Sequence, residues 1–238
     1  MYQREVAEVY ELIHGYRGKD WVDEAKTVIA ESVRRQPAAT SLLDVACGTG
    51  AHLATFSECF DEVHGMDCAE PMLEHARRRL PDAVMHRADM RDFELGRRFD
   101  VVCCLFASIA YLRNVAELNA AVAGMVRHLN PGGVVVIEPW FCPEQAVDGY
   151  IAADLYREDD VAIGRFSHSV RRGSFVQMDV RFVRTDRAGI DEFSERHELR
   201  LFALDEYLGA LTSAGCTVER VDGVLPRSAS GLLIGVRE

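Results

Sequence analysis

Lysine is nearly absent from this 238-residue chain: only Lys19 and Lys26 occur, and 27 basic residues in all face 38 acids. The formal charge of -11 repels phosphate backbones and anionic bilayers at long range, so neither nucleic acid nor membrane is expected as a partner. The preference for arginine over lysine is accounted for by the codon bias of a GC-rich genome. Long apolar runs are also missing. The longest, residues 101–112, is about half the roughly 20 needed to cross a bilayer. The opening MYQREVAEVYEL mixes charge with apolar residues and lacks the features of a secretory signal. No C-x-x-C pair exists among the seven cysteines, and their number is odd, so neither a disulfide scaffold nor a zinc or other metal site is expected. These absences point to a cytoplasmic chain with reduced thiols. At 48% hydrophobic residues, the length suits one α/β domain with an insertion or two small domains.

Apolar periodicity alternates between strand and helix over the first 140 residues. Asp20 caps a predicted helix with Trp21, Ala25, Val28, Ile29 and Val33 as its buried stripe and Arg34 and Arg35 in its last turn. SLLDVA (41–46) and FDVVCCLF (99–106) read as short buried strands. Pro71 opens a helix along Met72, Leu73, Ala76 and Leu80. Asn114 caps another along Val115, Leu118, Val122, Met125 and Leu129, stopped by PGG before the strand VVVIEP. This alternation predicts an α/β fold whose parallel sheet is covered on both faces.

The pattern changes after residue 139. Val176, Met178, Val180 and Phe182 alternate with Gln177, Asp179 and Arg181, the signature of a half-buried strand. Segments 161–170 and 193–201 read similarly, with Arg172 and Gly173 at the first turn, so three antiparallel strands are expected. A helix capped by Asp205 and ending at Gly215, then two strands, closes the chain. The predicted division is a main domain of residues 1–140 and 201–238 with a small antiparallel insertion at 141–200.

The segment DVACGTG, from Asp44 through Ala46 and Gly48 to Gly50, directly follows the first strand and opens a helix. Its glycines allow a tight turn and close backbone approach to a ligand, although a purely structural turn would look alike. Two later features favour a nucleotide-like cofactor. The second strand, FDEVHGMD, ends in Asp67, roughly where a Rossmann-type fold places an acid on ribose hydroxyls. After a third strand, Asp89 and Met90 suit an exocyclic amine and a flat ring. Leu53 stands where a dinucleotide fingerprint has its third glycine, which leaves a pyrophosphate a poorer seat.

D-x-A-C-G-T-G resembles the first motif of class I methyltransferases that use S-adenosylmethionine. The acid after the second strand, the Asp89-Met90 pair, the PGG and the closing antiparallel strands fit the same family. VYELIHGYRGKDW, SLLDVACGTGAHL, DMRDFELGRRFD, HLNPGGVVVIEPW and SHSVR further resemble the sugar N,N-dimethyltransferases that make mycaminose and desosamine on nucleotide carriers. The resemblance implies a Rossmann-like class I methyltransferase sheet with a small antiparallel insertion. It also implies an amine acceptor on a dTDP-linked deoxyaminosugar, S-adenosylmethionine as donor with S-adenosylhomocysteine as product, and a homodimer. For the donor it implicates Trp21, Asp44, Ala46, Gly48, Gly50, Asp67, Asp89, Met90 and Leu105.

Methyl transfer to an amine is an in-line displacement that needs a neutral nitrogen, and a dedicated base is dispensable. His14, where the family more often carries tyrosine, is the candidate proton acceptor or orienting group, and Arg17 the candidate substrate anchor. A nucleotide diphosphate needs local positive charge. Six arginines (165, 171, 172, 181, 184 and 187) face only Asp179 and Asp186 in that stretch, which singles out Arg165 and Arg181. Ser167, His168 and Ser169 match the family stretch that contacts the nucleotide sugar, and Trp140 and Phe141 offer flat walls. Near the end R-S-A-S-G replaces the family's P-S-G-R-G, so Ser230 stands at the arginine position with Arg227 as the nearest substitute. Three other readings stand beside this one: an O- or N-methyltransferase with a different small acceptor, a dinucleotide-dependent oxidoreductase, and a non-catalytic S-adenosylmethionine-binding regulator.

Overall fold

Strand β1 (Ser41–Val45) is an interior strand of a seven-stranded sheet, and its side chains alternate between two separate cores. Leu43 and Val45 join one core with residues of helices α5 (Val115–Arg127) and α6 (Leu204–Ser213). Leu42 joins the other, with residues of α2 (Trp21–Arg35), α3 (Ala51–Phe56) and α4 (Glu70–Arg79). The sheet is completed by β2 (Glu62–Asp67), β3 (Val84–Arg87), β4 (Phe99–Cys104), β5 (Leu129–Ile137), β10 (Cys216–Val221) and β11 (Leu232–Arg237). In this computed structural model, which describes residues 4–225 and 230–238, the strand order is β10-β11-β5-β4-β1-β2-β3. β1 to β5 pair in parallel, while β11 runs antiparallel to β5 and to β10. The chain reverses its direction of travel across the sheet between β1 and β4, and such switch points open a crevice beyond the carboxyl ends of the strands.

Local chemistry sets these elements. Asp20 and Asn114 cap α2 and α5 as expected, accepting from the backbone N–H of Asp23 and Glu117 at 2.9 Å each. Leu53, in place of a third glycine, packs where β2 carries Gly65, whose Cβ would lie 2.7 Å from the leucine Cδ1. The family-like turn is thus closed by leucine against glycine.

A second sheet, in the order β6-β7-β8-β9, is wholly antiparallel. It comprises β6 (Tyr150–Glu158), β7 (Val161–Arg172), β8 (Phe175–Asp186) and β9 (Gly189–Arg200). Four strands replace the three expected. β6 escapes notice in the sequence because its inward residues include Asp154, while Ile151 and Leu155 point outward at 71% and 79% exposure. The inner face is covered by α1 (Arg4–Tyr16), a helix absent from the sequence-based reading. Its Val6, Val9 and Ile13 pack with Tyr156, Ile163, Val180 and Phe182.

Three smaller expectations fail for physical reasons. Asp205 is exposed and does not cap α6; the cap is Ala203, whose N–H donates to Glu206 Oε2 at 2.7 Å. Val33 is 38% exposed, because α2 turns Glu24 and Ser32 inward instead. α5 ends at Arg127, before PGG, and those residues form an irregularity inside β5, where the pairing with β4 steps from Phe99↔Leu129 to Val101↔Val134. Among the described residues no helix is long and apolar enough to cross a membrane.

Candidate active site

Beyond the ends of β1, β2 and β4 lies a cavity of about 520 Å³, bounded on its far side by β8 and β9 and by α1. The turn after β1 forms its floor. Ala46 and Gly48 both adopt left-handed backbone, with φ 61° and 56°. An added Cβ on Gly48 would meet nothing within 4 Å, so the glycine leaves its backbone open to the cavity. Gly50, also left-handed, serves packing instead, because its Cβ would fall 3.1 Å from Ala76 Cβ and glycine here admits α4. Gly50 touches the fold and not the cavity.

Asp67, at the end of β2, accepts hydrogen bonds from Gly48 N at 2.9 Å and Ala69 N at 2.8 Å and borders the cavity. Burial raises its carboxyl above the usual range although these amides favour the ion. Asp44 is 1% exposed and lines a small annex with Trp21 and Leu105 that shares Ala46 and Gly48 with the main cavity. Its Oδ1 accepts from Cys103 Sγ at 3.5 Å, but Oδ2 has no hydrogen-bond partner. Burial pushes this carboxyl up to about 7, with the Asp67 charge adding to the effect. An orphaned buried carboxylate oxygen suits a cationic ligand group. Asp89 and Met90 line the cavity as well, with Asp89 held in a bidentate pair by Arg91, 2.9 Å from Nε and 2.5 Å from an Nη.

His14 lies in the last turn of α1 and not in a loop. Its ring sits between Tyr10, 4.5 Å away between centroids, and Phe106, 5.0 Å away edge-on. Burial, reinforced by Arg165, Arg17 and Lys19, pushes its imidazole down to about 3. The ring is therefore uncharged near neutral pH. Lys19 lies 3.7 Å over the Phe106 ring and is ion-paired with Glu24, which also meets His52 Nε2 at 3.0 Å. Burial alone would raise Glu24, but its bonds to His52 and Lys19 hold it below the usual carboxylate range. Glu138, at the end of β5, accepts from Phe106 N at 2.6 Å and borders the same space. Among the described residues no group of three or more His, Cys, Asp or Glu is arranged to hold a metal ion.

The expected acceptor residues divide. Trp140 and Phe141 line the cavity, their ring centroids 5.4 Å apart. Arg17 does not; it bonds Asp154 Oδ2 at 2.6 Å and so ties the end of α1 to the small sheet, while Arg165, itself on β7, approaches the same oxygen at 3.4 Å. Arg165 also donates to Ser167 Oγ at 3.1 Å. The strand alternation splits SHSVR: Ser167 and Ser169 are buried on the inner face, whereas His168 is exposed on the other. Arg181 is exposed on that outer face too, opposite Phe166 in the pairing. Arg165, Ser167, His168, Ser169 and Arg181 do not border the cavity; among the described residues the arginines that do are Arg91 and Arg113. Ser230 is 1% exposed, does not border the cavity and donates to Trp140 O at 2.8 Å, so it fixes a wall residue. Arg227 lies outside the described residues.

Lys19, Glu24, Glu138, Phe106, Tyr111 and His197 line the cavity without having been singled out from sequence. Only Lys19 carried a usable signal, as one of two lysines in the chain.

A family profile described as a methyltransferase domain matches residues 42–133, the stretch that holds the glycine turn, Asp67 and Asp89. The chain is 49% identical over 238 residues to the dTDP-3-amino-3,4,6-trideoxy-alpha-D-glucopyranose N,N-dimethyltransferase of Streptomyces venezuelae, covering 99% of each. It is 42% identical to the dTDP-4-amino-2,3,4,6-tetradeoxy-D-glucose N,N-dimethyltransferase of Saccharopolyspora spinosa, covering 100% of this chain and 94% of the relative. Among solved structures, SAM-bound CalS10, an amino pentose methyltransferase from Micromonospora echinaspora involved in calicheamicin biosynthesis, superposes with a TM-score of 0.88. The two share 45% identity over 100% of this chain and 98% of that one.

Proposed function

The chain belongs to the S-adenosylmethionine-dependent N,N-dimethyltransferases of nucleotide-linked amino sugars, and from that premise we propose that it dimethylates the amine of a dTDP-linked deoxyaminosugar in antibiotic sugar biosynthesis. When bound, S-adenosylmethionine supplies a sulfonium-activated methyl group and leaves as S-adenosylhomocysteine. The residues present suit such a donor. Gly48 offers open backbone, Asp67 a carboxylate for ribose hydroxyls, Asp89 and Met90 a polar edge and a flat contact, and Trp21 and Leu105 the walls of the annex. The observation that carries the reading is Asp44 Oδ2, buried without a partner beside the glycine turn, where an ammonium group of the donor would satisfy it.

On the acceptor side, Trp140 and Phe141 provide flat apolar contact for the sugar or base. His14, held neutral, orients the amine without placing a second positive charge near a cationic donor. In this reading, residues 1–140 and 201–238 hold the donor and 141–200 close the acceptor side, with α1 packed onto the latter. The enzyme acts as a homodimer through the outer face of the small sheet. Support comes from Ile151, Leu155 and Phe166, exposed by 71%, 79% and 54% on the outer face of the small sheet. Sedimentation equilibrium giving a monomer mass would remove that part. Cytoplasmic residence agrees with seven free cysteines. Mass spectrometry after incubation with S-adenosylmethionine and a panel of 3-amino and 4-amino dTDP-deoxysugars tests the whole: gains of one and then two methyl groups are expected, and an unchanged panel would overturn it.

A further inference from the structure

The carboxylates that border the cavity are not equivalent. Among the described residues there are four: Glu24, Asp67, Asp89 and Glu138. Glu24 and Asp89 are ion-paired, with Lys19 and Arg91, and the two oxygens of Asp67 accept from Gly48 N and Ala69 N. Glu138 has no ion pair among the described residues, and Oε2 alone is engaged, accepting from Phe106 N at 2.6 Å. Oε1 is thus left without a hydrogen bond on a residue only 7% exposed. Glu138 follows β5 and opens the run 138–141, every residue of which lines the cavity, so it is continuous with the acceptor walls Trp140 and Phe141. The bond to Phe106 N–H also fixes the side chain against the turn after β4, where Phe106 and Ala107 both adopt left-handed backbone with φ 51° and 56°.

We propose that Glu138 Oε1 receives the acceptor nitrogen as an ammonium and takes its proton before each methyl transfer; this rests on the amine-methylation reading above. An aminosugar amine lies between the α-amino and lysine reference values, at about 8 to 9, so roughly 90–99% of it is protonated at pH 7. The ammonium donates one N–H to Oε1. As the proton crosses, the nitrogen regains its lone pair and the carboxylate becomes a neutral acid. The nitrogen then accepts the first methyl group and is again an ammonium. Glu138 gives its proton to water and, as a carboxylate once more, takes the next one, so a single group serves both methylations. The surroundings support the role. Burial and the Glu24 charge raise the Glu138 carboxyl above its usual value, against the pull of Lys19 and the Phe106 N–H, which brings it nearer to the amine. His14 on α1, pushed down to about 3, is too weak a base to compete. The buried Cys104 thiol on β4 is pushed up and stays protonated, and His197 on β9 borders the same cavity.

The test is the pH profile of methylation by full-length Glu138→Gln enzyme beside wild type. The amide oxygen of the variant still accepts from Phe106 N–H, so the turn keeps its restraint, but the side chain no longer takes a proton. At pH 7 kcat/KM for the aminosugar should fall about 10- to 100-fold, because only the neutral fraction of the amine then reacts. The deficit should shrink to about twofold near pH 10, where the amine is delivered already neutral. A deficit that stays constant across pH would mark a structural role and overturn the proposal while leaving the functional reading intact. A second measurement needs neither variant nor methyl donor. By calorimetry at pH 7, wild-type enzyme should bind a dTDP-deoxyaminosugar about tenfold more tightly than the same sugar with a hydroxyl in place of the amine, and equal affinities would likewise overturn the proposal. Wild-type enzyme that methylates no aminosugar in the panel would overturn the functional reading and the role of Glu138 with it.

Discussion

Replacing Asp44 by asparagine should stabilise the ligand-free protein at alkaline pH and cripple donor binding, two opposite effects from one oxygen atom. Raising a carboxyl from 3.8 to about 7 means that the fold disfavours the ionised form by about 4 kcal/mol. Since the folded chain keeps this proton to higher pH than the unfolded chain, it binds more protons between about pH 4 and pH 7. Stability from this group is complete below pH 4, falls as pH rises through 7, and then levels off. Asp44→Asn abolishes that decline. Urea unfolding should show the variant up to about 4 kcal/mol more stable than wild type at pH 8 and little different at pH 4. Some of the gain is offset because the amide must accommodate the Cys103 thiol, which now donates to Oδ1 at 3.5 Å.

Binding supplies the complementary readout. An ammonium beside Oδ2 would lower the Asp44 pKa, so uptake of S-adenosylmethionine at pH 7 should expel up to about half a proton, rising toward one near pH 6. Titration calorimetry in two buffers of different ionisation enthalpy measures this directly. Asp44→Asn should abolish most of the proton release and weaken affinity at least about tenfold, since a charge-assisted hydrogen bond is worth about 1.5–3 kcal/mol. Proton-neutral binding by wild type, together with full affinity in the variant, would refute the assignment of that oxygen.

Asp67→Ala should raise the donor Kd at least about tenfold through loss of carboxylate hydrogen bonds, and unchanged affinity would remove Asp67 from the site. Arg181→Ala should alter the acceptor KM by less than about twofold, given the exposed position on the outer face; a selective rise in KM would return that face to the substrate. His14 should show no imidazole titration by NMR between pH 8 and pH 5, because its folded pKa lies near 3. The depressed value means that the unfolded chain binds the extra proton, so stability present above pH 6.5 should be lost on acidification toward 3; a His14→Gln variant with the same acid sensitivity would contradict this.

Where the sequence was legible, a short-range rule fixed the outcome. Asp20 and Asn114 cap their helices through contacts three residues away, and the glycine turn and Asp67 each lie at the end of a largely buried strand. The failures share a different origin. β6 is an edge strand with a charge inside and leucine outside, and α1 finds its partners more than 140 residues away at Tyr156 and Ile163. A count of arginines cannot tell a guanidinium facing the cavity from one facing solvent, because alternate residues of a strand point opposite ways. Arg165 is buried in an ion-pair network and Arg181 is exposed, although both belong to the same basic stretch. Tyr111 and His197 are 86 residues apart in the chain, so their hydrogen bond has no local signature at all.

The electrostatics of the cavity give the acidic composition a use. Asp44, Asp67, Glu24 and Glu138 border the cavity or its annex, and the lysine among them is already neutralised by Glu24. Such a lining favours a cationic donor over a neutral product, so loss of the sulfonium charge on transfer weakens the hold on what remains. The same lining opposes a protonated histidine least and a diphosphate most. Burial nonetheless keeps His14 uncharged, so the amine meets no extra cation at the reacting end. Among the described residues, Arg91 and Arg113 are the arginines that border the cavity, and they share Glu117 between them, which makes them the candidates for a diphosphate. Each guanidinium has a carboxylate partner in the ligand-free state, so phosphate binding exchanges one charged partner for another. Its net gain is therefore smaller than for a bare arginine, and added salt should weaken nucleotide binding less than it would at unpaired guanidiniums.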